Sequence, residues 1–434
     1  MSLGLTFLPP CKQLRSDSIY LQMIDGLSSV AVDATPILDS GVRPKPVRRK
    51  TIGSTLLGAA LGLVFVFALI YTSNSTRHVR NSAADFTLAF YLLGLFLTVT
   101  LHEIGHLLAG WFVGFQFSLL SVGPISLRRQ YGKLKVQLGR AIPAAGYAGM
   151  HVGQVRRLRR RLLIFSSGGI VANLLTAAGM ALFIENSVSG AQRSWLYAPA
   201  NLFMWISGVI GLVNLVPFKL GMLYTDGARI AMLLLSRARS RRWMCIAAVG
   251  NQNQKGVRSK EYKRTWLQAA TSLHDGSVDD FIGNWLAYAS ANDRKDAFSA
   301  GLHLERCLEL VNLLGPSIQD LVALEAAVFT AWFWNNSVVA ESWLRQVKKL
   351  KALPQLQPIR AAVALSCALL KYDQALASWQ QGLSFIDALP INPPQKQLKE
   401  GWLEWQCEIR ERQQALAIER VNQMPLSEAP AAFI

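Results

Sequence analysis

His102, Glu103 and His106 are the residues of this chain whose types and spacing could do chemistry. On a helix, positions i and i+4 share a face, so two imidazoles four residues apart can grip one ion together. Glu103 lies one residue on, within reach of a water held by that ion. Two imidazole ligands with a neighbouring carboxylate base form the spacing of zinc hydrolases. The surroundings sharpen the reading, because from Phe86 to Phe115 the sequence is almost wholly apolar apart from this cluster. A charged side chain at the centre of a membrane helix costs about 2.5–3.5 kcal/mol or more. A chain tolerates such groups where they pair, line a wet cavity or hold a metal.

A catalytic zinc site needs a third protein ligand and keeps one position for water. His78 and Glu185 fall in connections expected on the far side of the membrane, and His151 falls in a basic loop. Asp226 follows the last long apolar run, on the side of the histidine pair, and opens a short apolar helix. An acid in so apolar a stretch needs a partner, and a metal is the most economical one. A helix N-cap is the other reading of the same residue, and the two roles can coexist. Gly227, next in sequence, gives the backbone freedom to turn toward a neighbour.

Four apolar runs must position these residues. Ile52 to Thr72 is uncharged over 21 residues, long enough for one membrane helix. A second span is expected from about Phe86 to Gly114, a third over Leu162–Ile184 and a fourth over Leu196–Pro217. Between the second and third, Lys133 to Leu138 alternate polar and apolar, and Gly123-Pro124 and Tyr131-Gly132 punctuate the stretch. That pattern predicts a β-hairpin or small sheet at the membrane surface. Ten Lys or Arg and no Asp or Glu lie between Val113 and Arg161. Basic residues also flank the first span and follow the fourth. The positive-inside rule then expects an integral, multi-pass protein with both termini cytoplasmic, and a bacterial inner membrane is the expected location.

The chain has 434 residues, 51% hydrophobic and 17% charged, and all the long uncharged runs lie in its first 240. Residues 1–50, with Pro9-Pro10 and a basic end, are expected as a flexible cytoplasmic tail with a short helix near 18–30. Residues 51–242 are expected as the membrane-embedded domain. Asn251 to Lys260 read as a polar linker, and 250–425 as a cytoplasmic helical domain. Three stretches of that domain, about 285–310, 321–350 and 359–386, each suggest two helices around a polar turn. Ala340 and Ala375 are 35 residues apart, near the tetratricopeptide period of about 34. A degenerate helical repeat and an irregular all-α domain both fit. The fold class expected is thus mainly α: a polytopic bundle of about four membrane helices with a small surface hairpin or sheet, then a soluble all-α domain. The net charge of +18 gathers beside the apolar runs, where lipid headgroups lie, and no nucleic-acid motif accompanies it, so no nucleic-acid partner is expected. Five scattered cysteines without a CxxC pair suggest reduced thiols.

Three blocks together resemble the site-2 protease family of intramembrane zinc metalloproteases. They are His102-Glu103-x-x-His106, Gly168-Gly169 followed by Asn173, and Asn214-Leu215-Val216-Pro217 followed by Asp226-Gly227. Pro143-Ala144-Ala145-Gly146-Tyr147 is similar to a further family element, and the likeness covers about 50–240. The chain departs from the family in the residues Phe218 to Thr225 between Pro217 and Asp226, in Ala228 after Gly227, in Ala145 and in Gly169. The resemblance implies Zn²⁺ held by His102, His106 and Asp226, Glu103 as general base, and Asn173 as a catalytic donor to the oxyanion or a holder of substrate backbone. It implies a membrane-protein substrate with a transmembrane segment, whose unwound stretch could add to a strand edge in 117–138. The lipid bilayer is the second partner, and the C-terminal helices offer a surface for a protein partner. The other reading is a non-catalytic membrane scaffold of the same fold.

Overall fold

The computed structural model describes residues 37–44, 87–130, 133–138, 146–187, 197–220, 223–350 and 353–422. The expected first span at 52–72, the tail before 37 with its helix near 18–30, and Pro143-Ala144-Ala145 lie outside the described residues. The described fold is mainly α-helical with a small antiparallel sheet. It forms two compact units: Lys45–Leu314 with Pro390–Lys396, and Met1–Pro44 with Gly315–Leu389 and Gln397–Ile434.

The second unit begins with a single turn, α1 (Ile37–Ser40). In the first unit, α2 (Thr87–Phe112) carries the histidine pair. It stops where Gly114 enters the left-handed region at φ +76° and Phe115 N–H turns back to the Gly110 carbonyl, the usual way a helix end satisfies its last carbonyls. Four strands follow: β1 (Gln116–Val122), β2 (Ile125–Gln130), β3 (Lys133–Leu138) and β4 (Gly146–His151). All pairings are antiparallel in the order β3-β2-β1-β4, so β3 and β4 are the two edges. The alternation read at 133–138 is β3, whose Leu134, Val136 and Leu138 are exposed.

Helix α3 (Leu158–Ser187) returns along α2, and α4 (Tyr197–Leu215) packs against both. Leu92–Phe112 and Leu158–Asn186 are long and apolar enough to cross a membrane, while Pro199–Leu215 is a shorter apolar helix. Arg161 pins the end of α2 to the start of α3. Its guanidinium donates to the carbonyls of Val113, Gly114, Val152 and Gln154 and lies 4.8 Å from the centre of the Phe115 ring.

After α4 the chain forms a two-strand ribbon, β5 (Lys219–Leu220) and β6 (Leu223–Tyr224). Helices α5 (Asp226–Leu235) and α6 (Arg237–Gln254) follow. Here the expected linker is corrected. The helix runs on to Gln254, Asn251 and Arg258 are buried, and Arg258 pairs with Asp293 at 2.5 Å. Desolvated charged groups need such partners, so the polar run is an interior joint of the unit. Helices α7 (Arg264–Thr271), α8 (Val278–Asp293) and α9 (Ala297–Leu310) complete it. The division falls after Leu314, well beyond the change in composition near 250.

The second unit adds α10 (Pro316–Phe333), α11 (Ser337–Arg345), α12 (Leu356–Ala368), α13 (Tyr372–Asp387) and α14 (Pro393–Asn422). Its core centres on Trp332, Trp343, Trp379, Trp402 and Trp405. Trp379 and Trp402 each donate an indole N–H to the other's carbonyl, at 2.8 and 2.9 Å. The expected pairs of helices are present as α8–α9, α10–α11 and α12–α13, and one device turns each of them. Lys295, Asn335 and Leu370 adopt positive φ at the end of the first helix. The next residue's N–H reaches back to the carbonyls of Ala291, Thr330 and Ser366 respectively. Residues 37–44 are not a loose tail. Leu38 is buried, its carbonyl accepts from the Trp343 indole at 3.0 Å, and Arg43 pairs with Asp320 at 2.9 Å. Cys245, Cys307 and Cys367 are free thiols.

Candidate metal centre

The i, i+4 spacing puts His102 and His106 on one face of α2, turned toward α3. Space for them comes from two glycines of α3. Gly168 lies backbone to backbone against Gly105. At Gly169, a Cβ would stand 2.5 Å from Nε2 of both His102 and His106. Any larger residue at 169 would occupy the volume where the two rings converge. His102, Glu103 and His106 are each only 6% exposed, and Asn173 not at all.

Asp226 arrives from the other end of the unit. Asn214 closes α4 by donating to the Ile210 carbonyl at 3.1 Å. The residues between Pro217 and Asp226, which depart from the family spacing, form the β5–β6 ribbon. Thr225 N–H closes it onto the Phe218 carbonyl at 3.2 Å. The ribbon returns the chain, so the extra residues do not carry Asp226 away. The N-cap of α5 is Thr225, whose hydroxyl accepts from Ala228 N–H. Asp226 is therefore released from capping and directs its carboxylate at the histidines.

Three ligand atoms converge. Asp226 Oδ2 lies 2.9 Å from His102 Nε2 and 3.2 Å from His106 Nε2, and the two Nε2 atoms are 3.3 Å apart. Tetrahedral ligands about 2.0–2.1 Å from a common centre lie about 3.3 Å from one another, so the donor set fits zinc in both chemistry and spacing. Among the described residues, these three are the group of His, Cys, Asp and Glu side chains able to hold a metal. Burial opposes charge on Asp226, yet the imidazoles beside it hold its carboxyl down at about 2. His78 lies outside the described residues. Glu185 is exposed near the far end of α3, and His151 ends β4.

The atoms behind the ligands fix their tautomers. His106 Nδ1–H donates to the Phe165 carbonyl at 2.7 Å, leaving Nε2 as the lone-pair nitrogen. His102 Nδ1 faces the Asn173 amide at 3.1 Å. As assigned, the amide offers its NH₂ to that nitrogen while its Oδ1 is buried without a partner. Amide oxygen and nitrogen are interchangeable in shape. Turning the amide over lets Oδ1 accept from Nδ1–H, which fixes the tautomer a metal ligand requires and turns the NH₂ to the other side. Asn173 thus stands behind His102, on the ring edge away from Asp226. Sequence motifs name this asparagine but do not carry that orientation. Glu103 lies against Gly146 at the start of edge strand β4, where an added Cβ would stand within 2.6 Å of its carboxyl group. Sequence reasoning missed the brace on α5. Arg229, one turn after Asp226, pairs with buried Asp279 of α8 at 2.9 Å and lies between the rings of Tyr224 and Trp243, 4.6 and 4.8 Å from their centres.

Comparison of the chain with protein-family models, with curated proteins and with solved structures found no match.

Proposed function

We propose that this protein is an intramembrane zinc metalloprotease of the site-2 type, hydrolysing peptide bonds within or near the transmembrane segments of membrane-tethered proteins. The convergence of His102, His106 and Asp226 within 3.3 Å, with Glu103 beside them, carries the reading. The three would hold Zn²⁺, which when bound supplies the Lewis acidity that brings the pKa of water to about 7. The Glu103 carboxylate takes a proton from the attacking water and returns it to the amide nitrogen as the C–N bond breaks. Asn173 acts as a positioning residue, holding His102 in its ligating tautomer. The free edges at β3 and β4 are the places where an unwound substrate could pair as an added strand, and β4 begins beside Glu103.

A multi-pass topology of about four spans is part of the proposal. Residues 37–44 pack into the unit that holds 315–389, so both lie on one side of the membrane. The number of crossings between them must then be even. The two long apolar helices, the shorter apolar α4 and the 52–72 run together make four. Both termini on the cytoplasmic side agrees with the basic segments. The α10–α13 pairs, turned alike, would serve as a helical-repeat surface for a protein partner.

The test is a model single-span substrate co-expressed with wild type and with Glu103→Gln. Wild type should cleave it, while the variant should keep its zinc and leave the substrate whole. Zinc-free wild-type protein, or equal cleavage by both, would leave a non-catalytic scaffold as the better account.

A further inference from the structure

A groove of about 730 Å³ opens where α2 ends and α3 begins. Arg156, Arg157, Arg160 and, from the end of α6, Lys255 line it, and no carboxylate does. Arg161 is already engaged by backbone carbonyls. Among the described residues, the side chains of Arg156, Arg157 and Arg160 form no ion pair or hydrogen bond. Like charges gathered without a counter-charge repel one another, so the arrangement lacks an anion. Guanidinium groups match the oxygens of a phosphate with paired, charge-assisted hydrogen bonds.

The depth of the groove identifies the source of that phosphate. The apolar window of α2 ends at Phe112 and that of α3 begins at Leu158, so the groove lies at the level where both helices leave hydrocarbon. Trp111 and Phe112 are 76% and 83% exposed beside it, as aromatic side chains at a membrane interface are. Basic pockets between helices at this level suit anionic headgroups. We propose that the groove is a specific site for the phosphate headgroup of an anionic phospholipid, bound across Arg156, Arg157, Arg160 and Lys255. The inference rests on the membrane placement above but not on the metal chemistry.

Purified full-length protein in detergent, titrated with phosphatidylglycerol, phosphatidylcholine or inorganic phosphate and read by native mass spectrometry, tests it. Phosphatidylglycerol should bind in preference to phosphatidylcholine. The triple variant Arg156→Gln/Arg157→Gln/Arg160→Gln should weaken it roughly tenfold or more. Arg128→Gln/Arg129→Gln/Lys135→Gln removes the same formal charge from β2 and β3 and should leave it unchanged. Should the first triple variant fail to fold, Arg156→Gln and Lys255→Gln singly should each weaken binding several-fold. Equal weakening by the two triple variants, or no preference over phosphatidylcholine, overturns the site. Displacement of the lipid by millimolar inorganic phosphate overturns the lipid as its occupant. A protein without zinc or cleavage leaves this assay standing. A protein released from membranes by carbonate without detergent would instead remove the membrane placement on which it rests.

Discussion

Replacing Gly169 by alanine should empty the metal centre while leaving α3 intact. The new Cβ would stand 2.5 Å from Nε2 of both His102 and His106. A carbon and an imidazole nitrogen rest no closer than about 3.4 Å, so each ring must retreat by about 0.9 Å. Zinc–ligand distances are held within about 0.2 Å of their ordinary values, and the displacement is about four times that. Loss of a single supporting hydrogen bond costs about 10–100-fold in metal affinity. Moving two of three ligands at once should cost at least about 100-fold, or roughly 2.8 kcal/mol. Helix melting does not offer an escape, because alanine is favoured over glycine in a helix interior by about 1 kcal/mol. Gly179→Ala in the same helix is the control, since nothing lies within 4 Å of its added Cβ. Wild type, Gly169→Ala and Gly179→Ala would be dialysed against buffered zinc, and their metal content and circular dichroism measured. One equivalent of zinc in Gly169→Ala, at wild-type affinity and with unchanged helicity, would refute the geometry.

Asn173→Ala should weaken zinc about 10–100-fold in competition with a chelator, while Asn173→Asp, which keeps an acceptor for His102 Nδ1, should largely retain it; equal retention by both removes the positioning role. Arg229→Ala leaves Asp279 buried without its cation. Breaking a buried pair costs about 3–5 kcal/mol, and the partial exposure of Arg229 reduces the expected loss to about 2 kcal/mol in a denaturant titration. The same variant should lower zinc occupancy, and an unchanged midpoint and metal content would dismiss the brace. In a cysteine-free background, Val42→Cys and Val338→Cys, both at exposed positions, should react together with an impermeant maleimide from one face of sealed vesicles; labelling from opposite faces would break the even count of crossings.

The parts of this fold legible in the sequence are those with a period. The helical spacing of His102 and His106 forecast a shared face, and the alternation at 133–138 forecast a strand, because each pattern is local and repeats. What the sequence hid is tertiary. Ile37-Leu38 is a short apolar pair with no sustained periodicity to announce that the Trp343 side chain would reach the Leu38 carbonyl. The polar run at 251–260 has the composition of a solvated linker, whereas Arg258 is buried and paired with Asp293. Thr225 and Asp226 are both good cap residues, and only the position of the histidines decides that the threonine caps and the aspartate does not. The motif containing Asn173 suggested a group facing the substrate, and only the Nδ1 contact places it behind a ligand.

The late division between the units has a physical reason at the His102–His106–Asp226 cluster. Asp226 sits on α5, a ten-residue helix at the margin of the apolar bundle, and a helix that short is not held by its own hydrogen bonds. Something outside the bundle must fix its axis and rotation if Oδ2 is to stay within 3.2 Å of both imidazoles. Arg229 does so from the next turn, its guanidinium between two aromatic rings and fixed to a buried carboxylate of α8. Asp279 is held in turn by a helix whose start is ordered by Ser277, and the Ser277 hydroxyl accepts from Arg242 of α6 at 3.1 Å. A chain cut at 250 would keep every residue of the three sequence blocks and lose the support of Asp226. Helices α7 to α9 therefore belong to the unit that brings Asp226 to the two histidines, although their composition is that of a soluble domain.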